Sequence, residues 1–424
     1  MTTTAPVHAI EADLRQVIYA LSDALDLVGV DDVAHGKRVG IMAAECAQGL
    51  GLPPAQRTWL FDLGILHDIG VSSTATHQHL VEEFDWAGSQ RHAVVGHDLL
   101  CRFAPLADMA LPIRYHHTRW DDLCAQGVAP DVARAANLIL LVDRVDAMAA
   151  PYYASGKVLQ HHRQIQDEIR QRSGSYFAPE LVDVFLRVSQ HEAFWLLLEP
   201  RAVASYLHDM QAASLPYRAG MADLHQLAEI FSRIVDAKSP FTAEHSTGVA
   251  HVAHRLAQRL GLAPEQCDKL EIAGLLHDLG KLRVPDAILD KPGKLTDDER
   301  LVINTHSFET LQILRNIHGF EDIALWAAYH HEEAHGTGYP FGLSGDALPL
   351  EARILRAADI FQAMVQDRPY RAGLSAQAVT DFMRQLQAQH RLEPEIADAL
   401  LSDIDAMMLA AKGHVAGPPP VSAA

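Results

Sequence analysis

Apolar residues recur every three to four positions along most of the chain, and strictly alternating apolar and polar segments are nearly absent. Residues 223–235 and 245–260 show this helical spacing clearly. Gly261 and Pro264, which follow the second segment, are typical of one helix ending and the next beginning. The pattern therefore predicts an all-α protein.

The same spacing predicts the individual helices of the first half of the chain at residues 8–28, 33–50, 54–68, 90–102, 105–117, 131–149, 155–172 and 179–190. This order repeats between residues 221 and 411, and residues 201–213 predict a connecting helix. Ser214 and Pro216 interrupt the pattern between the copies. We expect tandem helical bundle domains at residues 1–214 and 215–411, followed by a disordered tail at 412–424 that is rich in Gly, Pro and small residues.

Histidines and aspartates occur in the same order in both halves of the chain. In the first copy they are His35, His67, Asp68, His92, His116, His117 and Asp143, and in the second copy they are His245, His277, Asp278, His306, His330, His331 and Asp359. The first two histidines are 32 residues apart in each copy, and the next matched pair is separated by 24 residues in each copy. A repeated ladder of this kind indicates a duplication of a metal site.

Seven ligands are too many for one tetrahedral ion, whereas a carboxylate with two oxygens can bridge two ions. We expect Asp278 to be the bridge. One ion would be held by His245, His277 and Asp359, and the other by His306, His330 and His331. A hydroxide shared by the ions would be the nucleophile for hydrolysis of a phosphoester, and Lys281 would contact the scissile phosphate or protonate the leaving oxygen.

Composition restricts the ligand and the location. The chain has 424 residues, a formal net charge of −19 and no apolar run of the length that spans a bilayer. Because polyanion binding needs clustered Lys and Arg, we expect a small phosphorylated ligand and no binding to DNA. The first residues lack the features of a signal peptide, so the prediction is a cytoplasmic protein without membrane attachment. The four scattered cysteines are predicted to be buried free thiols.

Residues 221–411 resemble an HD-GYP domain, a branch of the HD phosphohydrolases. The resemblance rests on three motifs, His277-Asp278-Leu279-Gly280-Lys281, His330-His331-Glu332 and Gly338-Tyr339-Pro340, and on the stretch Asp367-Arg368-Pro369-Tyr370-Arg371. It implies a metal-dependent phosphodiesterase, commonly with iron or manganese, that opens cyclic di-GMP to pGpG and often GMP. It also implies that the substrate is contacted by Lys281, Gly338, Tyr339, Pro340, Arg368 and Arg371.

Three departures from the family pattern lie near the ligands. Glu333, Ala334 and His335 replace the usual Arg-Trp-Asp, and Gln362 stands where an aspartate is usual. These changes leave open a preference for 3',3'-cyclic GMP-AMP (cGAMP). Phe241 occupies the place of a glutamate in three-metal members, so we expect a centre of two divalent ions.

The first copy resembles a divergent HD domain. It keeps the ladder, but Val71 replaces the lysine and no Gly-Tyr-Pro loop follows Arg119. Asp31, at the position that corresponds to Phe241, could add a ligand. Two interpretations stand side by side: the retained residues are relics held by hydrogen bonds, or they bind metal in a regulatory or partner-binding domain.

The leading hypothesis is a phosphodiesterase of cyclic di-GMP, with a catalytic C-terminal domain and a degenerate N-terminal regulator. The alternatives are a cGAMP phosphodiesterase and a non-catalytic adaptor that binds nucleotide or a protein such as a diguanylate cyclase. A nucleotidase acting on mononucleotides is disfavoured by the Gly-Tyr-Pro loop. A homodimer is compatible with the sequence, and the metal and the input signal are left open.

Overall fold

The computed structural model describes residues 13–28, 34–82, 88–212, 219–238, 245–367 and 372–413. Within these ranges every regular element is a helix, and no β-strand occurs. The prediction of an all-α protein is therefore confirmed. The described residues form two compact units, at 13–212 and at 219–413.

The N-terminal unit consists of helices α1 (Leu14–Asp26), α2 (His35–Gly49), α3 (Pro54–Leu66), α4 (Thr74–Glu82), α5 (Gln90–Leu100), α6 (Ala110–Tyr115), α7 (Trp120–Ala125), α8 (Pro130–Tyr153), α9 (Val158–Gln171), α10 (Pro179–Val188), α11 (Glu192–Leu196) and α12 (Pro200–Ala212). The helix predicted at 105–117 is instead a 3-10 segment, Ala104–Met109, followed by α6. Pro105 and Pro112, which supply no backbone N–H, explain why one continuous α-helix does not form there. The short helices α4, α7 and α11 were not predicted.

The C-terminal unit consists of helices α13 (Met221–Asp236), α14 (His245–Arg259), α15 (Pro264–Leu276), α16 (Asp286–Leu289), α17 (Asp297–Leu314), α18 (Glu321–Ala328), α19 (Leu350–Val365), α20 (Ala376–Ala388), α21 (Pro394–Leu401) and α22 (Ile404–Ala411). Short 3-10 segments are Leu279–Arg283 and Gly345–Ala347. Most of the predicted tail, from residue 414 onward, lies outside the described residues.

In the C-terminal unit, α14 packs closely against both α15 and α19. The α14–α15 contact depends on Gly274, because a Cβ atom there would lie 2.6 Å from the Cα atom of Ala250. Apolar side chains of α19, including Leu355 and Phe361, are fully buried beneath these helices. Each such side chain contributes about 1.5–3 kcal/mol through the area it removes from water. This packing fixes the helix ends that bear the ladder.

In the N-terminal unit, α2 and α3 pair in the same manner, and Gly64 meets the backbone of Gly40. The prediction about cysteines is half wrong. Cys46 and Cys267 are buried, whereas Cys101 and Cys124 are exposed, because both lie at the surface ends of short helices. Among the described helices, none combines the length and the apolar character needed to cross a membrane.

Candidate metal centre

Helix ends deliver the first ligands of the C-terminal ladder. Helix α14 begins at His245, and α15 ends at Leu276, so that His277 and Asp278 follow immediately. The chain turns sharply after Asp278 at Gly280, whose amide donates to the hydroxyl of Thr310. A Cβ atom at Gly280 would lie 2.0 Å from the carbonyl oxygen of His306, so only glycine fits there. The turn therefore sets Asp278 beside α17.

The remaining ligands come from three further helices. His306 lies on α17, His330 and His331 follow the end of α18 after Tyr329, and Asp359 lies on α19. His277, Asp278, His306 and His330 are almost completely buried. All seven residues predicted from the ladder are thus brought together inside one bundle, although they span more than a hundred positions of sequence.

The two carboxylate oxygens of Asp278 face different sets of histidines. Its Oδ2 lies 3.6 Å from the Nε2 of His245 and 3.4 Å from the Nε2 of His277. Its Oδ1 lies 3.5 Å from the Nε2 of His306 and 3.9 Å from that of His330. Asp359 closes the first set, with its Oδ1 3.4 Å from the Nε2 of His245. This division matches the two ligand sets expected for a bridging aspartate.

Two atoms at the middle of this cluster are buried without any hydrogen-bond partner: the Nε2 of His277 and the Oδ1 of Asp278. Leaving such atoms unpaired costs about 1–3 kcal/mol each, so native proteins rarely do so without a ligand. Ligand atoms of His245, His277 and Asp359 lie within 4.8 Å of one another, and so do those of His306, His330 and His331. The residues present therefore fit a pair of divalent ions.

Hydrogen bonds from the opposite ring nitrogens orient the imidazoles. The Nδ1 atoms of His277 and His306 each lie 2.7 Å from a backbone carbonyl oxygen three residues earlier. The Nδ1 of His330 makes the same contact with Ala327. Such bonds keep the proton on Nδ1 and leave Nε2 free to bind a metal. His245 differs, since its Nδ1 contacts the Oε1 of Gln362.

The protonation states suit metal binding. Burial lowers the pKa of His306 to about 4 and that of His331 to about 3, so both rings are neutral at pH 7. Burial alone would raise the pKa of Asp278, but the surrounding histidines and Lys281 bring it well below its usual range. Asp278 is therefore a carboxylate. Neutral imidazoles and ionised carboxylates are the forms that coordinate metal.

Lys281 lies at the edge of the cluster. Its Nζ donates to the Oδ2 of Asp278 at 2.5 Å, and its side chain is 22% exposed. The ammonium group is therefore anchored to the central carboxylate while remaining open to a ligand from solvent. In the N-terminal unit the corresponding residue, Val71, is apolar and buried.

The Gly-Tyr-Pro loop packs directly on the ligands. The ring of Tyr339 stacks on His331, with 4.7 Å between ring centroids, and the Tyr339–Pro340 peptide is cis. A Cβ atom at Gly338 would lie 2.4 Å from the Cα of Glu332, so the loop cannot approach so closely with another residue. Burial raises the pKa of Tyr339, which keeps its hydroxyl protonated.

Glu332 holds this loop. It is fully buried, and its two carboxylate oxygens accept from the backbone amides of Phe341 and Leu343 at 2.7 and 2.9 Å. Sequence reasoning used Glu332 only as part of a motif and missed this role. Its position after a double histidine and before a glycine-rich loop is the signal that could have suggested it.

The N-terminal unit has a matching cluster, in which a central aspartate again lies between histidines. Asp68 turns its Oδ2 toward His67 at 3.4 Å and its Oδ1 toward His92 at 3.1 Å. His35 contacts Asp143, with 3.3 Å between Nε2 and Oδ1. Again the central atoms, the Nε2 of His67 and the Oδ1 of Asp68, are buried without a hydrogen-bond partner. Sites with these properties are formed by His35, His67 and Asp143, and by Asp68, His92, His116 and His117.

The side chain that hydrogen-bonds to the Nδ1 of the first ladder histidine differs between the units, and sequence reasoning missed this difference. The Nδ1 of His35 lies 2.8 Å from Asp146, and Arg38 pairs with the same carboxylate at 2.7 Å. In the C-terminal unit the corresponding positions are Gln362 and Gly248. A buried ion pair in one unit is therefore replaced by a neutral amide packed against glycine in the other. The available signal was the position of Asp146 relative to Asp143, which Gln362 repeats relative to Asp359.

Four residues named from the sequence lie outside the described residues: Arg368 and Arg371, expected to contact substrate, and Phe241 and Asp31, used to argue for the number of ions. Their predictions stand untested. The charged groups closest to the altered stretch are described, however. Glu333 accepts from Arg356 at 2.6 Å and from Arg391 at 2.7 Å, so its charge is neutralised within the loop.

Comparison with known proteins supports this picture at the level of domains. Two family models, each described as an HD domain, match the chain, one at residues 33–150 and the other at residues 229–396. A crystal structure described as cyclic GMP-AMP specific phosphodiesterase V-cGAP3 of Vibrio cholerae superposes with a TM-score of 0.61 at 25% identity. The match covers 93% of this chain and 98% of that one. Fold and site define a tandem HD-domain phosphohydrolase.

Two relatives narrow the class from phosphohydrolases to phosphodiesterases of cyclic dinucleotides. The 3'3'-cGAMP-specific phosphodiesterase 1 of Vibrio cholerae is 38% identical over 92% of this chain and 91% of its own length. The cyclic di-GMP phosphodiesterase response regulator RpfG of Xanthomonas campestris is 39% identical over 40% of this chain and 45% of its own length. The chain belongs to the HD-type family of cyclic dinucleotide phosphodiesterases, which are metal-dependent enzymes.

Proposed function

We propose that the C-terminal unit hydrolyses 3'3'-cGAMP in preference to cyclic di-GMP. The observation that carries the reaction is the division of the Asp278 carboxylate between two ligand sets, with Lys281 hydrogen-bonded to its Oδ2. Such a site suits attack of water on a phosphodiester whose charge is held by metal and lysine. The proposed reaction is thus the one predicted from the sequence, and the proposed substrate is cGAMP, the alternative to cyclic di-GMP there.

The choice of substrate is supported by the relatives. The protein that matches along nearly the whole chain is named as specific for 3'3'-cGAMP, whereas the cyclic di-GMP phosphodiesterase from Xanthomonas matches over 40% of it. The altered residue Glu333 adds a reason from this chain. Where the family usually has an arginine, this carboxylate is bound by Arg356 and Arg391, so position 333 offers no cation to the substrate.

We assign seven residues as the ligands of two divalent ions: His245, His277, Asp278, His306, His330, His331 and Asp359. When bound, such ions lower the pKa of water and stabilise charge on phosphoryl oxygens. His and carboxylate ligands accept several metals, so the ligand set does not select one. On the basis of the family resemblance, we propose that the two ions are iron or manganese.

The protein residues have separate tasks in this proposal. Lys281 binds the scissile phosphate and supplies a proton toward the leaving oxygen. Tyr339, held on His331 by the Gly338–Pro340 loop, covers one side of the cluster and limits access of solvent. Arg368 and Arg371 remain proposed contacts to the substrate.

The experiment compares kcat/KM for 3'3'-cGAMP and cyclic di-GMP with full-length protein loaded with manganese or with iron. We expect cGAMP to be favoured by at least about tenfold, which corresponds to about 1.4 kcal/mol in the transition state. Preference for cyclic di-GMP would contradict the substrate assignment. Turnover of neither, at full metal occupancy, would contradict the enzymatic assignment and favour the adaptor that binds nucleotide or a diguanylate cyclase.

We also propose that the N-terminal unit binds metal without hydrolysing the family substrate. The same unpaired atoms and ligand distances support metal binding, whereas Val71 supplies no ammonium group. A polar cavity of about 490 Å³ adjoins His117, and its lining includes Arg114, Asp122 and Arg119, which is paired with Asp121. This unit would then serve as a regulatory domain for the C-terminal one, with the boundary near residue 215.

A further inference from the structure

A second group of histidines lies on the C-terminal unit and does not belong to the ladder. His225 on α13 and His251 and His254 on α14 surround Glu271 on α15. We call these four residues the outer histidine cluster. The sequence analysis did not single them out, because they come from three helices and share no motif.

Three ring nitrogens converge on one carboxylate. The Nε2 of His225 lies 3.4 Å from the Oε1 of Glu271, and the Nε2 of His251 lies 3.9 Å from the same oxygen. The Nδ1 of His254 is hydrogen-bonded to the Oε2 of Glu271. In a tetrahedral zinc site, with bonds of about 2.0–2.1 Å, neighbouring ligand atoms are about 3.3 Å apart. The contacts of His225 and His251 with Glu271 are thus close to this spacing.

Neighbouring groups can support ligation. The Nδ1 of His225 faces Glu229 at 3.5 Å, an arrangement in which a carboxylate orients a metal-binding imidazole. The side-chain amide nitrogen of Gln258 lies 2.8 Å from the Nε2 of His254. A flip of this amide places its oxygen there instead, where it can accept a hydrogen bond from the Nε2 of His254. The Glu271 side chain is 17% exposed, so an ion can reach it from solution.

The duplicated unit shows that the fold does not need these residues. At the corresponding positions the N-terminal unit has Arg15, Ile41, Ala44 and Phe61, all of them buried. The same helix packing is thus achieved there with Ile41, Ala44 and Phe61 in place of two histidines and the glutamate. A cluster of three imidazoles and a carboxylate in the C-terminal unit therefore calls for a reason other than packing.

We propose that the outer histidine cluster binds one divalent ion of the Zn²⁺ type, with His225, His251, His254 and Glu271 as ligands. The ion is structural. It ties α13 to α14, which begins at His245, and to α15, which His277 follows, and it takes no part in the reaction. Three nitrogen ligands and one oxygen ligand favour zinc, cobalt or nickel over magnesium or calcium.

Protons compete with the ion. In the metal-free cluster, hydrogen bonds to Glu271 raise the pKa of His225 and His254, while burial lowers the pKa of His251. Burial would raise the pKa of Glu271, but the two hydrogen-bonded histidines lower it to about 2. Glu229 and Asp268 add negative charge and Arg255 adds positive charge nearby. Metal binding therefore weakens as the pH falls, because protonated His225 and His254 cannot coordinate the ion.

The test compares the zinc content of full-length variants after equilibration with Zn²⁺ at pH 7.5 and removal of free metal. Because both ladder centres are also expected to take up zinc, the difference in zinc content between the proteins is the readout. We expect H251Q/H254Q to hold one zinc ion fewer per chain than the wild type. The control H191Q/H318Q removes two exposed histidines elsewhere and should hold as much as the wild type. Equal content in all three proteins would overturn the proposal.

Two further measurements keep the test decisive. E271Q replaces the carboxylate ligand by a neutral amide with little change of shape, so it should lose the same ion even if the double variant folds poorly. Zinc should raise the melting temperature of the wild type more than that of E271Q, while phosphodiesterase activity of the manganese-loaded variants stays unchanged. Diffraction at the zinc edge should show anomalous density among the four side chains, and density confined to the ladder residues would refute the site.

Discussion

At the scale of single residues, the contact between Gln362 and His245 distinguishes the C-terminal centre from its N-terminal copy. Gln362 is buried and accepts from His245, while His35 is oriented by Asp146, which also accepts from Arg38. A carboxylate at position 362 would lack an arginine partner, because Gly248 replaces Arg38. The amide therefore orients the ligand without placing a further negative charge beside Asp359.

Replacing Gln362 with leucine removes the acceptor for His245 and leaves that imidazole free to rotate. We expect Q362L to lower the affinity of the C-terminal centre for manganese by about 10–100-fold. Metal titration of the chelator-treated protein measures this effect. Q377L, a change at an exposed glutamine on α20, is the control. An unchanged affinity in Q362L would show that Gln362 does not position the ligand.

Lys281 is predicted to act on the substrate and not on the metal. K281M should reduce kcat for 3'3'-cGAMP by about 10²-fold or more while the metal content stays at the wild-type level. The matched control is K269M, since Lys269 pairs with Glu265 on the surface of α15. Loss of metal in K281M would mean that the lysine holds the centre together, and full activity would remove it from the mechanism.

At the scale of elements, the turn after Asp278 is the most constrained segment of the site. Gly280 lies against the backbone of His306, so a methyl group must push α17 away from the carboxylate. We expect G280A to destabilise the C-terminal unit by about 1–3 kcal/mol and to abolish most activity. Chemical denaturation and turnover measure the two effects.

The control is G220A. Gly220 has a φ of −77°, and the nearest atom to an added Cβ is the Oδ2 of Asp223 at 3.8 Å, so alanine fits without displacement. Equal stability of G280A and G220A would contradict the close packing of the turn against α17.

Much of the helical framework and the seven residues of the ladder cluster were predictable, because apolar spacing and a duplicated order of histidines are local features of sequence. The partners of those ligands were not. The pair formed by Gln362 and Gly248 joins positions more than a hundred residues apart, and the outer histidine cluster joins three helices. Such contacts depend on how helices cross, which periodicity does not specify. The 3-10 segment at Ala104–Met109 was missed because the prediction overlooked its proline.

At the scale of the whole molecule, two similar centres imply two separately removable sets of ions. With manganese under anaerobic conditions, the wild type should hold about four ions per chain in the two centres, and D68A and D278A about two each. Metal analysis after gel filtration measures this. If D68A holds as much as the wild type, the N-terminal residues are relics kept by hydrogen bonds, and the predicted regulatory metal is absent.

Only one of the two centres is proposed to hydrolyse the substrate. Turnover of 3'3'-cGAMP by D278A and by D68A, each loaded with manganese and compared with the wild type, tests this assignment. We predict no detectable cleavage by D278A and retained cleavage by D68A. Cleavage by D278A together with its loss in D68A would place the chemistry in the N-terminal unit and contradict the account.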